Sequence, residues 1–269
     1  MKTLLQSEPE LKARREAKET PNLLSGYNFI NSHNGIRQGN VHVLLATAGA
    51  GKSSLTRGII RSITEKMKYG EVLVWLSEES VSEFQDEFAY CPLADKDRER
   101  IHIFSELDEN ISSPHALKTF VNEKIEHVQP KFLVIDNITT SALYMDLQAS
   151  KQSEVAKWFK KITDHYNLGT LIVAHTGAEI NDNINRIINM NDIRGSKSIV
   201  NLAQFFYIMQ RFEVGSSYYP TLRITKHRSQ TVSDRLFLLK YENKFRMITG
   251  DIKISFKEFK EAFNGRNKL

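Results

Sequence analysis

The sequence holds one cysteine, Cys91, with only six prolines and two tryptophans in 269 residues. A single cysteine rules out intramolecular disulfides and any zinc site built on several thiolates. No apolar run approaches the ~20 residues of a membrane span. Mean hydropathy is −0.39, and an integral membrane protein is excluded. The first 20 residues lack the apolar core of a secretory leader and are too acidic for an organellar one. These absences predict a soluble, cytoplasmic protein. With 41% hydrophobic and 26% charged residues, the chain is neither disordered nor fibrous. Its length suits one large domain or two small ones.

The net charge of +5 is concentrated in one stretch. Residues 221–246 hold Arg223, Lys226, Arg228, Arg235, Lys240, Lys244 and Arg246 against Asp234 and Glu242, so the rest of the chain is neutral. This window reads either as a solvated strand face or as a cluster that faces phosphates. Charge alone does not separate the two.

Residues 1–21 read as a charged N-terminal helical arm, with Ser7-Glu8-Pro9-Glu10 as its capping box and little apolar surface to bury. From residue 22 to 269 a single domain is expected. Short apolar segments (Val41–Ala46, Val72–Ser77, Ile101–Phe104, Phe132–Ile135, Thr170–Ala174) alternate with amphipathic stretches near 52–67, 80–90, 114–128 and 149–166. That alternation predicts an α/β fold with a mainly parallel sheet flanked by helices. After Gly195 come Phe205–Gln210, Leu222–Lys226, Arg235–Lys240 and Phe245–Ile248 with no helices between them, which predicts antiparallel strands on the C-terminal side. A final helix is expected from Ser255-x-x-Glu258 and the Phe259/Phe263 pair.

Four strand ends carry chemistry. Ala46-Thr-Ala48-Gly49-Ala50-Gly51-Lys52-Ser53 follows a strand and opens a helix, the context of a phosphate-binding loop. Small residues let backbone N–H groups approach phosphates at the helix N-terminus. Lys52 would reach the β/γ-phosphates, and Ser53 would ligate Mg²⁺. Ala46 stands where the usual pattern has glycine. Asp136 ends an apolar strand, where such a carboxylate supports Mg²⁺. Glu78 and Glu79 end another strand, where a hydrolytic site needs a carboxylate to orient water. Glu79 also suits the first turn of the following helix. His175 ends a further strand and suits a γ-phosphate contact.

The order and spacing of these residues resemble the RecA-like motor domain of DnaB-type ring helicases, in motif style the phage primase-helicases. The resemblance runs over residues 23–248. It is carried by Leu23-Leu-Ser-Gly-Tyr-Asn-Phe-Ile with Gly35-Ile-Arg-Gln-Gly39, by Glu78-Glu-Ser-Val-Ser-Glu83, and by Asp136-Asn-Ile-Thr-Thr. Further support comes from Ala174-His175, from Asp192-Ile-Arg194-Gly195-Ser196 with Phe206-Tyr-Ile-Met-Gln-Arg211, and from Lys226-His-Arg228.

The resemblance implies a RecA-like phosphate-loop fold and ATP with Mg²⁺ as ligands. Residues 48–54, including Ser54, would cradle the phosphates, with Ser53 and Asp136 on the metal. Glu78 would act on water and His175 would sense the γ-phosphate. Arg228 and Lys226 would reach a neighbour's nucleotide, and Arg211 and Tyr241 would sandwich the base. A homo-oligomer, as a hexamer, would thread single-stranded DNA past Arg186, Lys151 and Arg194, and the arm would link subunits. The chain shows no primase or helical collar, so primase and loader functions are expected on separate chains. The expected function is an ATP-dependent DNA helicase motor in replication. A RecA/KaiC-like DNA-binding ATPase for recombination or annealing, or a regulatory ATPase that threads no DNA, remain open. Residues 177–198 balance Arg186, Arg194 and Lys197 against Glu179, Asp182 and Asp192, and residues 137–153 carry only Asp146 and Lys151.

Overall fold

In the computed structural model the described residues are 22–32, 34–67, 69–109, 111, 113–145, 147–177, 187–214, 217–227 and 235–255. The expected N-terminal arm and final helix, together with Arg186 and Arg228, lie outside them. The elements are α1 (Asn28–Asn31), β1 (Asn40–Ala46), α2 (Lys52–Lys66), β2 (Val72–Leu76), α3 (Val81–Phe88), α4 (Asp95–Arg98) and β3 (Ile101–Ser105). They continue with α5 (Pro114–Val128), β4 (Phe132–Asp136), α6 (Ala149–His165), β5 (Gly169–His175), α7 (Ser198–Leu202), β6 (Phe205–Val214), β7 (Ser217–His227), β8 (Arg235–Glu242) and β9 (Met247–Ser255). No described helix is long and apolar enough to cross a membrane.

All nine strands form one sheet in the order β3-β2-β4-β5-β1-β6-β7-β8-β9. Strands β1 to β6 pair in parallel, and β7, β8 and β9 continue antiparallel. The central strands are apolar in both directions because side chains alternate between two covered faces. Leu44, Val74, Leu76 and Val134 enter one core with Leu55, Ile59 and Ile63 of α2. Val43, Leu45, Trp75 and Ile135 enter the other with Val121 of α5 and Phe159 of α6. Helix α6 buries Gln152, Val155, Ala156, Phe159, Ile162 and Thr163, the three- and four-residue spacing of one helical face.

Local signals fix several element starts. Ser80 and Glu83 form a reciprocal capping box at α3. Ser113 accepts from Ala116 N, and Pro114 occupies the first turn of α5. Three expectations need correction. Strand β6 joins the parallel part of the sheet beside β1, reached through the short helix α7. The last strand does not span 245–248. Residues Asn243–Phe245 form a 3₁₀ turn, Arg246 takes φ 49°, and pairing starts at Met247. Glu79 precedes the α3 cap, and Glu83 is the acidic residue of the first turn.

Helix α2 packs against β9 through Gly58. A Cβ there would lie 2.1 Å from Tyr27 Oη and 2.2 Å from the Ile248 carbonyl oxygen. Tyr27 donates its hydroxyl hydrogen to that same carbonyl. In an exposed helix, Gly→Ala gains about 1 kcal/mol. Here the contact is with backbone, and overpacking costs about 1–3 kcal/mol. Gly58→Ala is therefore expected to destabilise the fold, read as a lower midpoint in thermal or urea unfolding. An unchanged or raised midpoint would mean that α2 does not pack this closely on β9.

Candidate active site

The strand order brings the chemical residues to one edge. Strands β2, β4, β5 and β1 are consecutive neighbours, and their C-terminal ends lead to Glu78, Asp136, His175 and the loop before Lys52. The registers keep these ends within two residues of one another: Ala46 pairs with His175, Leu76 with Asp136, and Ile135 with Ile172. Parallel sheets bind ligands at such an edge.

The loop from Thr47 to Gly51 ends in the N-terminus of α2. Gly49 has φ 67° and Gly51 has φ 93°, conformations that glycine adopts without the Cβ penalty. Ala46 is fully buried at the end of β1, paired with both His175 and Met209, outside the turning part of the loop. This explains why alanine is accepted where the usual pattern has glycine. No side chain caps α2, and no acidic residue lies in its first turn. Its orphan N–H groups and positive dipole end therefore suit an anion.

Lys52 is buried and its Nζ donates to Asp136 Oδ1 at 2.6 Å, with Glu78 Oε2 at 3.5 Å. Burial alone would lower the Lys52 pKa, but the two carboxylates outweigh it and raise the value. His175 Nε2 lies 3.2 Å from Glu78 Oε1 and 3.3 Å from Oε2. An ionised carboxylate only accepts, so Nε2 carries the proton. This hydrogen bond, with the Lys52 charge behind it, holds the Glu78 carboxyl down at about 2. Burial pushes the Glu79 carboxyl up, reinforced by the nearby Asp136 charge. Glu78 and Glu79 thus have opposite environments, and Glu78 is the one that joins the cluster.

A Mg²⁺ ion typically keeps several waters and takes one or two carboxylates plus substrate phosphates. Among the described residues, no group of three or more His, Cys, Asp or Glu side chains is arranged to hold a metal by itself. Asp136 with the Ser53 hydroxyl at the open end of α2 is a donor set of the kind Mg²⁺–nucleotide uses.

Other expected residues have clear positions. Arg211 of β6 lies beside the loop, with its guanidinium nitrogens 3.9 and 4.0 Å from where a Cβ on Gly49 would stand. Its guanidinium stacks on Tyr218 at 4.3 Å, and its Nε is buried without a hydrogen-bond partner. Tyr241 is 47% exposed and pairs across β8/β9 with Ile248, whose Cδ1 stands 3.7 Å from a Cβ on Gly51. Lys226 is level with Phe206, itself level with Val43, three residues before the end of β1. At about 3.3 Å per residue it lies about 10 Å back from the phosphate loop along the strands. Its Nζ donates to Val200 O at 2.6 Å. Lys151 pairs with Glu154 at 3.5 Å in the exposed first turns of α6. Arg194 is exposed, and its N–H donates to His175 O at 3.0 Å.

The described side chains of the basic window disperse rather than forming one patch. Arg223 donates to the Ile188 carbonyl, Lys240 pairs with Glu242, and Arg246 stacks on Tyr90 and pairs with Glu87. Sequence reading missed Tyr218, Asn137 and the Tyr144–Gln152–Ser196 contacts. Tyr218 and Gln152 carry no motif, Asn137 stands in Asp136-Asn-Ile-Thr-Thr without a role of its own, and their meaning comes from which strands become neighbours.

An AAA domain matches residues 31–179, more than half of the chain. No curated protein matches. Among solved structures, an ATPase domain aligns with a TM-score of 0.68 at 14% identity, over 91% of this chain and 98% of that one. A KaiC-like protein from the hyperthermophilic archaeon Pyrococcus horikoshii aligns with a TM-score of 0.65 at 14% identity, over 84% of this chain and 98% of that one. Both likenesses bear out the fold class, a RecA-like sheet with antiparallel strands at its C-terminal side. With the phosphate loop, its lysine and the strand-end carboxylates at one sheet edge, the chain belongs to the AAA domain family as a RecA-like phosphate-loop ATPase.

Proposed function

We propose that this ATPase is the motor of a homo-oligomeric, hexameric DNA helicase that translocates on single-stranded DNA in replication. The observation that carries the reading is the direct bond between the sensing strand and the DNA-side segment. His175 contacts Glu78 through its ring, and its carbonyl accepts from the N–H of Arg194. A shift of His175 on loss of the γ-phosphate would move Arg194 without an intermediary.

ATP would bind with its phosphates on residues 48–54 and its Mg²⁺ on Ser53 and Asp136. The ion would neutralise charge on the β- and γ-phosphates. Lys52 would exchange Asp136 for the phosphates. Glu78 would orient the attacking water, and Arg211 and Tyr241 would stack the base. Lys226 and Arg228 would serve the neighbouring subunit's nucleotide, because Lys226 lies back from its own phosphate loop. Arg194, Lys151 and Arg186 would meet DNA phosphates, and primase or loader functions would come from other chains. Strand displacement on a forked duplex, with ATP hydrolysis stimulated by single-stranded DNA, tests this reading. A regulatory ATPase that threads no DNA is the second reading, favoured by the Lys151–Glu154 pairing that reduces the free positive charge. Hydrolysis that single-stranded DNA does not stimulate would select it.

Three outcomes are expected. Glu78→Gln keeps nucleotide binding and loses hydrolysis by about 10²–10⁴-fold, the usual worth of a positioned acid–base group. Normal turnover in that variant removes Glu78 from the chemistry.

Arg228→Ala subunits mixed with Lys52→Ala subunits recover single-turnover hydrolysis that neither has alone, because some interfaces then pair an intact loop with an intact arginine. An arginine finger is worth about 10³–10⁵ in rate. Mixed oligomers that stay inactive would refute a role in trans.

Glu78 also sets an acid-dependent contribution to stability. Its folded pKa of about 2 lies below the ordinary 4.5, so its contribution is complete above about 4.5 and fades as pH falls toward about 2. The stability gap between wild type and Glu78→Gln should narrow through that window in urea titrations. A gap that does not change with pH would mean that Glu78 is not held in its charged form.

A further inference from the structure

Asn137 follows Asp136 and is fully buried. Its Oδ1 accepts three hydrogen bonds: from Thr139 Oγ1 at 2.7 Å, Thr140 N at 3.1 Å and Thr140 Oγ1 at 3.0 Å. A backbone N–H only donates, so the bond from Thr140 N fixes which end of the amide is oxygen. The backbone is fixed as well: Asn137 N donates to Ser77 Oγ at 3.1 Å, and Ser77 Oγ donates to Asn137 O at 2.7 Å. Thr139 Oγ1 accepts from His175 N at 3.2 Å, which ties the amide to the strand end that carries His175.

The other end of this amide is unmet. Nδ2 is buried and has no hydrogen-bond partner. A donor enclosed this way costs free energy unless an acceptor reaches it during function. Glu78 is the acceptor at hand: a side-chain hydrogen bond from Asn137 is among the causes that lower its pKa, after His175 and Lys52, although the two do not reach full hydrogen-bond geometry here.

Lys52 Nζ lies 3.5 Å from Glu78. A triphosphate draws the ammonium of a phosphate-loop lysine onto its own oxygens. Glu78 then loses that cation while it must keep one orientation toward water. We propose that Asn137 is a positioning residue for Glu78, donating Nδ2–H to the carboxylate once Lys52 has moved to the phosphates. A neutral donor suits this place. It fixes the carboxylate's angle without the charge that would make it a weaker base. The inference rests on Glu78 as the water-orienting carboxylate.

The test uses the full chain and three variants. Asn137→Asp keeps an oxygen for Thr139 and Thr140 and replaces the neutral donor with an acceptor that is charged when ionised. Asn137→Ala removes the donor without adding charge, together with the Oδ1 that Thr139 and Thr140 share. Glu78→Gln checks the underlying reading. Steady-state ATP hydrolysis, affinity for a fluorescent ATP analogue and thermal unfolding are measured for each. Both Asn137 variants are expected to lose about ten- to a hundred-fold in kcat, the worth of one hydrogen bond to a charged group. Asn137→Ala should hold nucleotide affinity within about two-fold, since the lost interaction acts on the chemical step. If either Asn137 variant hydrolyses like wild type while Glu78→Gln is inactive, the proposal alone is overturned. It is also overturned if Asn137→Ala loses affinity, kcat and unfolding midpoint in proportion, which marks a structural role. If Glu78→Gln hydrolyses normally, the proposal and the reading of Glu78 fail together.

Discussion

A buried ammonium between two carboxylates organises this molecule. Lys52 bonds Asp136 and faces Glu78, and an isolated charge at that depth would be strongly disfavoured. Breaking such a pair from one side leaves an uncompensated charge, which is the costly outcome. A triphosphate is a ligand that can take the lysine without leaving it bare. On the proposed reading, that exchange would free Asp136 and Glu78 together, one for a metal and one for water. On that reading, the Lys52 contact would make release of the carboxylates conditional on phosphate.

The scaffold keeps that exchange in register. Four adjacent parallel strands end within about two residues of one another, so the charged groups come from strand ends clamped between two apolar cores. The antiparallel extension then reaches back to the phosphate loop. Met209 and Ile248 stand 3.4 and 3.7 Å from a Cβ on Gly51, and Gly58 lets α2 lie against the Ile248 carbonyl. Strands β6 to β9 are thus the support under the loop as well as the carriers of Arg211 and Tyr241.

Periodicity made the parallel strands and the four long helices legible, because an apolar run buried on both faces and a three-to-four spacing each have one physical cause. The phosphate loop, Asp136, Glu78 and His175 were legible because each stands at the end of such a run. The 3₁₀ turn at Asn243–Phe245 was not, since Phe245 is apolar and the αL residue that ends the turn is Arg246 rather than glycine. Glu79 was drawn toward a helix whose cap is Ser80, which leaves Glu79 before the first turn and Glu83 within it. Asn137 was invisible because its role depends on Thr140, Ser77 and Glu78, and only the fold brings β2 beside β4.

The segments that leave β4 and β5 are not independent. Tyr144 Oη accepts from Ser196 N and donates to Ser196 O, Ser196 N also donates to Gln152 Oε1, and Gln152 Nε2 donates to Tyr144 O. Gly195, at φ 91°, has no room for a Cβ, which would lie 2.8 Å from the Tyr144 ring. His175 meets both segments on its own backbone, giving its N–H to Thr139 and accepting from Arg194. A displacement at His175 therefore enters each segment separately, yet the Tyr144–Gln152–Ser196 joint resists any difference between them. On the proposed reading, Lys151, next to Gln152, and Arg194, next to Gly195, would then move as one surface rather than as two loosened loops.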